Sequence, residues 1–187
     1  MKSSHRQRLI ETTSRLLQAQ GYRNTGLKQI LDESETPRGS LYHYFPGGKD
    51  ELVVAALGHA SETVATTIAE LCGAHAAPGE ALWAVVEHFI AELETSSFEK
   101  GCPVATVALE QAAQNPVIQQ ACAQAYALWQ GGLETYLQAH GYRQPAILAE
   151  RLLVALEGAL LLSRARLSAE PLRQLRGMLT PMLQQED

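Results

Sequence analysis

The chain has 187 residues, 46% apolar and 19% charged, a balance that supports a buried core and excludes a disordered chain. Its net charge of −5 is uneven: residues 1–50 hold eight Lys+Arg against five Asp+Glu, and residues 51–187 hold seven against fifteen, so a basic head precedes an acidic body. Cys72, Cys102 and Cys122 are odd in number and widely spaced, which excludes a disulfide framework and a CxxC metal pair.

Helical periodicity runs through the whole chain, and no six-residue stretch alternates like a strand. No apolar segment of the signal-peptide kind follows Met1-Lys2-Ser3-Ser4-His5-Arg6. The first predicted helix covers about Ser4 to Gln20, with Leu9, Ile10, Thr13, Leu16 and Leu17 on one face and Gly21 as its stop. Thr25 reads as the N-cap of a short second helix with Leu27, Ile30 and Leu31 inward. Pro37 suits the first turn of a third helix, which carries Leu41, Tyr44 and Phe45 and ends at Pro46-Gly47-Gly48. A long fourth helix starts at Lys49-Asp50 and reaches about Gly73. Helices over about 80–95, 103–113, 116–140, 146–167 and 170–184 follow, making nine. Leu152–Leu162, interrupted by Glu157, is the longest apolar stretch and about half the length of a membrane span, so a cytoplasmic protein with no membrane partner is expected.

Two short helices joined by a tight turn and braced by a longer one make a helix-turn-helix. Leu9, Leu16, Leu17, Leu27, Ile30, Leu41, Tyr44 and Phe45 can form its core. The other edge of the third helix offers Arg38, whose guanidinium fork matches guanine O6 and N7, and Gly39, which lets backbone approach a groove. Tyr42 and His43 can reach phosphates or a thymine methyl, and Lys49 stands at a helix start that favours phosphate.

Gly21-Tyr22-Arg23-Asn24-Thr25-Gly26-Leu27-Lys28-Gln29-Ile30, then Arg38-Gly39-Ser40-Leu41-Tyr42-His43-Tyr44-Phe45 and Lys49-Asp50-Glu51-Leu52, resemble the DNA-binding domain of TetR-family regulators. Phe45-Pro46-Gly47-Gly48-Lys49 and Gly101-Cys102-Pro103-Val104 are similar to the LmrA/YxaF-like branch of that family. The resemblance implies an all-α, nine-helix protomer. Residues 1–48 would be a helix-turn-helix DNA-binding domain, and 49–187 a ligand-binding and dimerisation domain. It implies a repressor released from a palindromic operator on double-stranded DNA by a small apolar effector, with no cofactor. The expected DNA-facing set is Thr25, Lys28, Thr36, Arg38, Gly39, Ser40, Tyr42, His43 and Lys49. The family's turn reads Ala-Gly-Val-Ser; here it is Ser34-Glu35-Thr36-Pro37. Glu35 thus stands where a glycine suits positive φ, at a cost of roughly 1 kcal/mol, and brings a negative charge towards phosphates.

In the body, Trp83, Phe89, Phe98, Cys102, Val104, Val107, Tyr126, Trp129 and Leu133 are expected to line a ligand pocket, with a filled core as the alternative for each. The helix over 146–167 is apolar all round and needs cover on every side. With the last helix it is expected to form a two-fold four-helix seam through Leu153, Leu156, Leu160, Leu172, Leu175, Leu179 and Met182, giving a homodimer.

Two rival readings share these features. One is a helical homodimeric adaptor without DNA binding. The other is a redox- or electrophile-sensing regulator using Cys102, whose thiol sits at a helix start where the dipole favours thiolate. An enzyme is not expected: GxSxG, HExxH, a P-loop and a dinucleotide fingerprint are all missing, and Cys72 with His75 alone makes no metal site.

Overall fold

Ser4 opens the first helix by accepting the Gln7 N–H on its hydroxyl at 3.2 Å, a side-chain cap for one of the unpaired amides of the first turn. The structure is a computed structural model that describes residues 4–183. Among these are α1 (His5–Asn24), α2 (Leu27–Glu33), α3 (Arg38–Tyr44), α4 (Lys49–Gly73), α5 (Pro78–Thr95), α6 (Pro103–Gln111), α7 (Pro116–Ala139), α8 (Pro145–Arg166) and α9 (Glu170–Leu183), with no strand. Proline opens α5, α6, α7 and α8, where a missing N–H costs nothing. Gly21 kinks α1 at φ 75° rather than ending it.

The chain forms two compact units. One contains the residues up to 62 together with 102–126; the other contains 63–101 and 127 onwards. The expected division at 48/49 concerns roles and is not this boundary.

In the first unit Leu9, Ile10, Leu16, Ile30, Leu41, Phe45 and Leu52 make one core. Tyr44, expected inside, is 37% exposed and meets His43 edge-on, because Leu41 and Phe45 already occupy the inward face one turn apart. The C-terminal part of α1 lies on α6. Thr106 Oγ1 donates to the Leu17 carbonyl at 3.0 Å, and Glu110 accepts the Arg23 N–H at 2.7 Å. Gly21 has the positive φ that favours glycine, and a Cβ there would fall 2.1 Å from Glu110 Oε1, so the end of the Glu110 side chain would have to move.

In the second unit α5, α8 and α9 enclose a core that includes Leu82, Val86, Leu93, Leu148, Leu152, Leu160, Leu172 and Leu175. Ser97 and Phe98 are left-handed after α5, at φ 51° and 64°. Arg164 of α8 fixes that turn by donating to the Phe98 carbonyl at 3.3 Å and the Glu99 carbonyl at 2.8 Å. Among the described residues one helix, α4, is long and apolar enough to cross a membrane by length and composition. Its Leu52, Val53, Ala56 and Leu57 are instead buried in the protein.

Candidate nucleic-acid interface

The two short helices are set by their turn. Glu35 is left-handed at φ 49°, the conformation that a glycine would adopt without strain. Arg8 of α1 donates through Nε to the Ser34 carbonyl at 2.9 Å and through a terminal nitrogen to the Glu35 carbonyl at 3.2 Å. Thr36 is buried, and its hydroxyl donates to the Ser34 carbonyl at 3.1 Å. The turn is therefore braced by a guanidinium and a hydroxyl instead of by a glycine.

From this turn α3 presents one edge outward. Arg38, Gly39, Tyr42 and His43 are exposed, with Tyr42 at 45%, while Leu41 and Phe45 anchor the opposite face. Ser40 is half-buried, with its hydroxyl 3.3 Å from His5 Nδ1. A Cβ added at Gly39 would meet nothing within 4 Å, so the fold itself does not ask for glycine there. Lys28, on α2, is exposed as well.

Three of the expected DNA-facing residues do other work. Thr25 is fully buried, its hydroxyl donating to the Gly21 carbonyl at 2.6 Å to close the end of α1. Thr36 is held in the turn as described. Lys49 is half-buried, donates to the Tyr22 carbonyl at 2.7 Å and lies 3.8 Å from the centre of the Tyr22 ring. Burial pushes its pKa down, against the pull of Asp50 and Glu110.

Spacing arguments did not find the group beside Lys49. Asp50 accepts the Tyr22 hydroxyl at 2.6 Å on one oxygen and the Asn115 amide at 2.8 Å on the other. Asn115 in turn caps α7, accepting the Val117 and Ile118 N–H groups at 3.1 and 3.2 Å. The Tyr22 hydroxyl is pushed up to about 12, first by burial and then by its bond to the Asp50 carboxylate. Only the acidic first turn of α4 hinted at this role.

The nine expected pocket residues are divided between the two units. Val104 and Val107 are fully buried on α6 in the first unit. Cys102 caps α6, its sulfur accepting the Ala105 N–H at 3.4 Å, and Tyr126 is half-buried in the same unit. Trp83, Phe89 and Phe98 lie against the core of the second unit. Trp129 and Leu133 do line a cavity of about 420 Å³ between α4 and α7, within the second unit.

The expected seam is also redistributed. Leu160, Leu172, Leu175 and Leu179 are between 0 and 7% exposed inside the protomer, where they fill the space between α5, α8 and α9 and offer no surface to a partner. Leu156 and Met182 are half-buried against the same core, and Leu153 is half-buried. The apolar side chains left exposed on α8 are Ile147, Val154, Leu161 and Leu162, around an exposed Gly158.

Four exposed residues, Arg38, Gly39, Tyr42 and His43, on a helix held by a braced turn give the chain the helix-turn-helix head of a DNA-binding regulator. Comparison with known proteins agrees. Residues 9–56 match the family model "Bacterial regulatory proteins, tetR family". Residues 78–178 match "Transcriptional regulator LmrA/YxaF-like, C-terminal domain". The chain belongs to the TetR family of transcriptional regulators, with an LmrA/YxaF-like C-terminal domain. It is 31% identical to the HTH-type transcriptional regulator LmrA of Bacillus subtilis, over 95% of this chain and 96% of that one. It is 30% identical to the HTH-type transcriptional regulator YxaF of the same organism, over 91% of each. Among solved structures, a TetR regulator from Legionella pneumophila superposes with a TM-score of 0.85 at 22% identity, covering 98% and 100% of the two chains. A TetR regulatory protein from Rhodobacter sphaeroides gives 0.78 at 26%, covering 94% and 97%. The chain is thus a regulator and not an enzyme.

Proposed function

We propose that the chain is a cytoplasmic repressor that binds a pseudo-palindromic operator as a homodimer and leaves it when a small apolar effector binds the body. Residues 1–48 supply the DNA contacts and 49–187 the effector and dimer contacts. The observation that carries the reading is the outward edge of α3: Arg38, Gly39, Tyr42 and His43 are exposed on a helix whose other face is locked by Leu41 and Phe45. In this reading Arg38 reads guanine, Gly39 admits the backbone to the groove, and Lys28, Ser40, Tyr42 and His43 position the phosphates. Lys49 would reach phosphate by leaving Tyr22; Thr25 and Thr36 act by holding the helices.

The homodimer reading rests on Ile147, Val154, Leu161 and Leu162, an apolar stripe that one protomer leaves open and a two-fold copy would cover. Effector response follows if the ligand-bound body favours a head spacing that cannot enter two successive grooves. An effector shifts that equilibrium only by its differential affinity for the two states. The continuous α4 has Leu52 in the head core and Ala65 and Ala69 on the cavity.

Selection of retained sequences from random duplex DNA, then binding measured against salt, tests the DNA reading. A repressor making several phosphate contacts loses affinity steeply as salt rises. No retained sequence at low salt would favour the adaptor without DNA contacts.

A further inference from the structure

The cavity between α4 and α7 exists because side chains are missing from its walls. Ala65, Ala69 and Gly73 follow one another at spacings of four, so they stack along one side of α4. Gly132 opens the facing side of α7, between the rings of Trp129 and Tyr136. A Cβ at Gly132 would meet nothing within 4 Å, so close packing does not explain the glycine. Four larger aliphatic residues would close this space and bury more apolar surface. The volume of about 420 Å³ lies in the range of small-molecule sites.

The chemistry of the walls narrows the occupant. Among the described residues that line the cavity there is no Asp, Glu, Lys or Arg, and its two histidines, His75 and His140, are exposed and hold Nδ1 on the Leu71 and Tyr136 carbonyls at 2.9 and 2.8 Å. An ionic ligand among the apolar walls would lose its hydration without a fixed counter-charge. Burial pushes the Cys72 thiol up, so this wall residue stays protonated and uncharged near neutral pH. The Tyr136 hydroxyl is buried without a hydrogen-bond partner and, its pKa raised chiefly by burial, remains a donor.

We propose that the α4–α7 cavity is the effector site and that it takes an uncharged, largely apolar molecule bearing one hydrogen-bond acceptor, which reaches the Tyr136 hydroxyl as the ring shifts to admit it. This rests on the effector-responsive reading above. It places the ligand on Trp129 and Tyr136 of α7, and not on Phe89, Phe98 or the α6 residues Val104 and Val107.

The test uses the full chain and two dyes of one naphthalene body: prodan, an uncharged ketone, and anilinonaphthalene sulfonate, an anion. Prodan should bind saturably with blue-shifted emission, and the sulfonate about tenfold more weakly or worse. Gly132→Leu grows a side chain into the space and should cut prodan affinity by about tenfold or more, with Gly132→Ala between it and the parent. Both variants should melt no lower than the parent, since each raises helix propensity. Tyr136→Phe should weaken prodan about fivefold, the effect of one neutral hydrogen bond. Equal prodan binding by the parent and Gly132→Leu, equal affinity for the two dyes, or no effect of Tyr136→Phe would overturn the assignment. DNA retention, read in the same samples, separates the two claims. Saturable, Gly132-dependent binding that leaves DNA bound upholds the site for this chemistry and counts against release by it. An apolar compound that releases DNA equally from the parent and from Gly132→Leu upholds the effector reading and overturns this site.

Discussion

Arg8 and Glu35 meet across the helix-turn-helix, the guanidinium of the first donating at 3.2 Å to the carbonyl oxygen of the second, which is left-handed at φ 49°. A glycine would relax this backbone, whereas glutamate holds it under strain. Glu35→Gly should therefore stabilise the protein by roughly 1 kcal/mol in urea unfolding. It should also tighten DNA binding, because a carboxylate leaves the neighbourhood of the phosphates. Arg8→Met, which removes the brace, should cost about 1 kcal/mol or more. Unchanged stability in Glu35→Gly would show that the turn carries no strain.

Gly39 separates stability from binding. It is exposed, in the first turn of α3, and a Cβ there touches nothing. Gly39→Ala should raise stability by ~0.5 kcal/mol through helix propensity and still bind operator more weakly, because the methyl stands between backbone and groove. Melting curves and anisotropy titrations on the same samples check the pair of signs. Tighter DNA binding by the alanine variant would mean that α3 does not enter a groove by this edge.

The two sets of leucines predict opposite phenotypes. Leu161→Glu and Val154→Glu place charge on the exposed stripe of α8 and should leave each protomer folded while turning a dimer into a monomer in sedimentation. Leu172→Ala hollows the fully buried seam of α9 and should cost about 2–5 kcal/mol of stability. A dimer that persists in the double glutamate variant would require another interface.

Tyr22 supplies a pH signature. Its hydroxyl is held up to about 12 by burial and by Asp50, while an unfolded tyrosine titrates near 10. The folded state keeps this proton where the unfolded state loses it. The stability from this group is therefore complete below about pH 10 and is lost as pH rises towards 12. Ultraviolet phenolate titration should show Tyr22 among the late tyrosines, with Tyr136 and Tyr142 also raised by burial, and the Tyr22 component should move earlier in Asp50→Asn. The same variant should loosen the Asn115 cap on α7, since Asp50 accepts from both.

Helices were legible in the chain because periodicity and punctuation agree. Pro103, Pro116 and Pro145 mark helix starts that the structure keeps, and α4 begins at Lys49 and ends at Gly73 as its pattern suggests. The outward edge of α3 was legible because Leu41 and Phe45 define its inner face. The exposed face of α8 was not. Helix α8 is apolar on every side, so periodicity cannot rank its faces, and the regular stripe of Leu172, Leu175 and Leu179 is consumed by α5 and α8 of the same protomer. The cavity was legible only through Trp129 and Leu133, for a different reason. A search for large apolar lining residues picks Trp83 and Phe89, whereas the space depends on Ala65, Ala69, Gly73 and Gly132, which read as ordinary helix residues. Thr25 matches a family pattern that says where it stands in the chain, not which way its hydroxyl turns, and Thr36 departs from that pattern, so neither buried hydroxyl was legible.

Footprinting on a selected operator tests the central claim most directly, with the parent and Arg38→Ala side by side. Two heads on a two-fold axis should protect two inverted half-sites about one helical turn apart. Arg38→Ala should lose about 1–3 kcal/mol and relax its preference at one base pair in each half-site. A single protected half-site, or an Arg38→Ala footprint identical in strength and sequence to the parent's, would contradict the account.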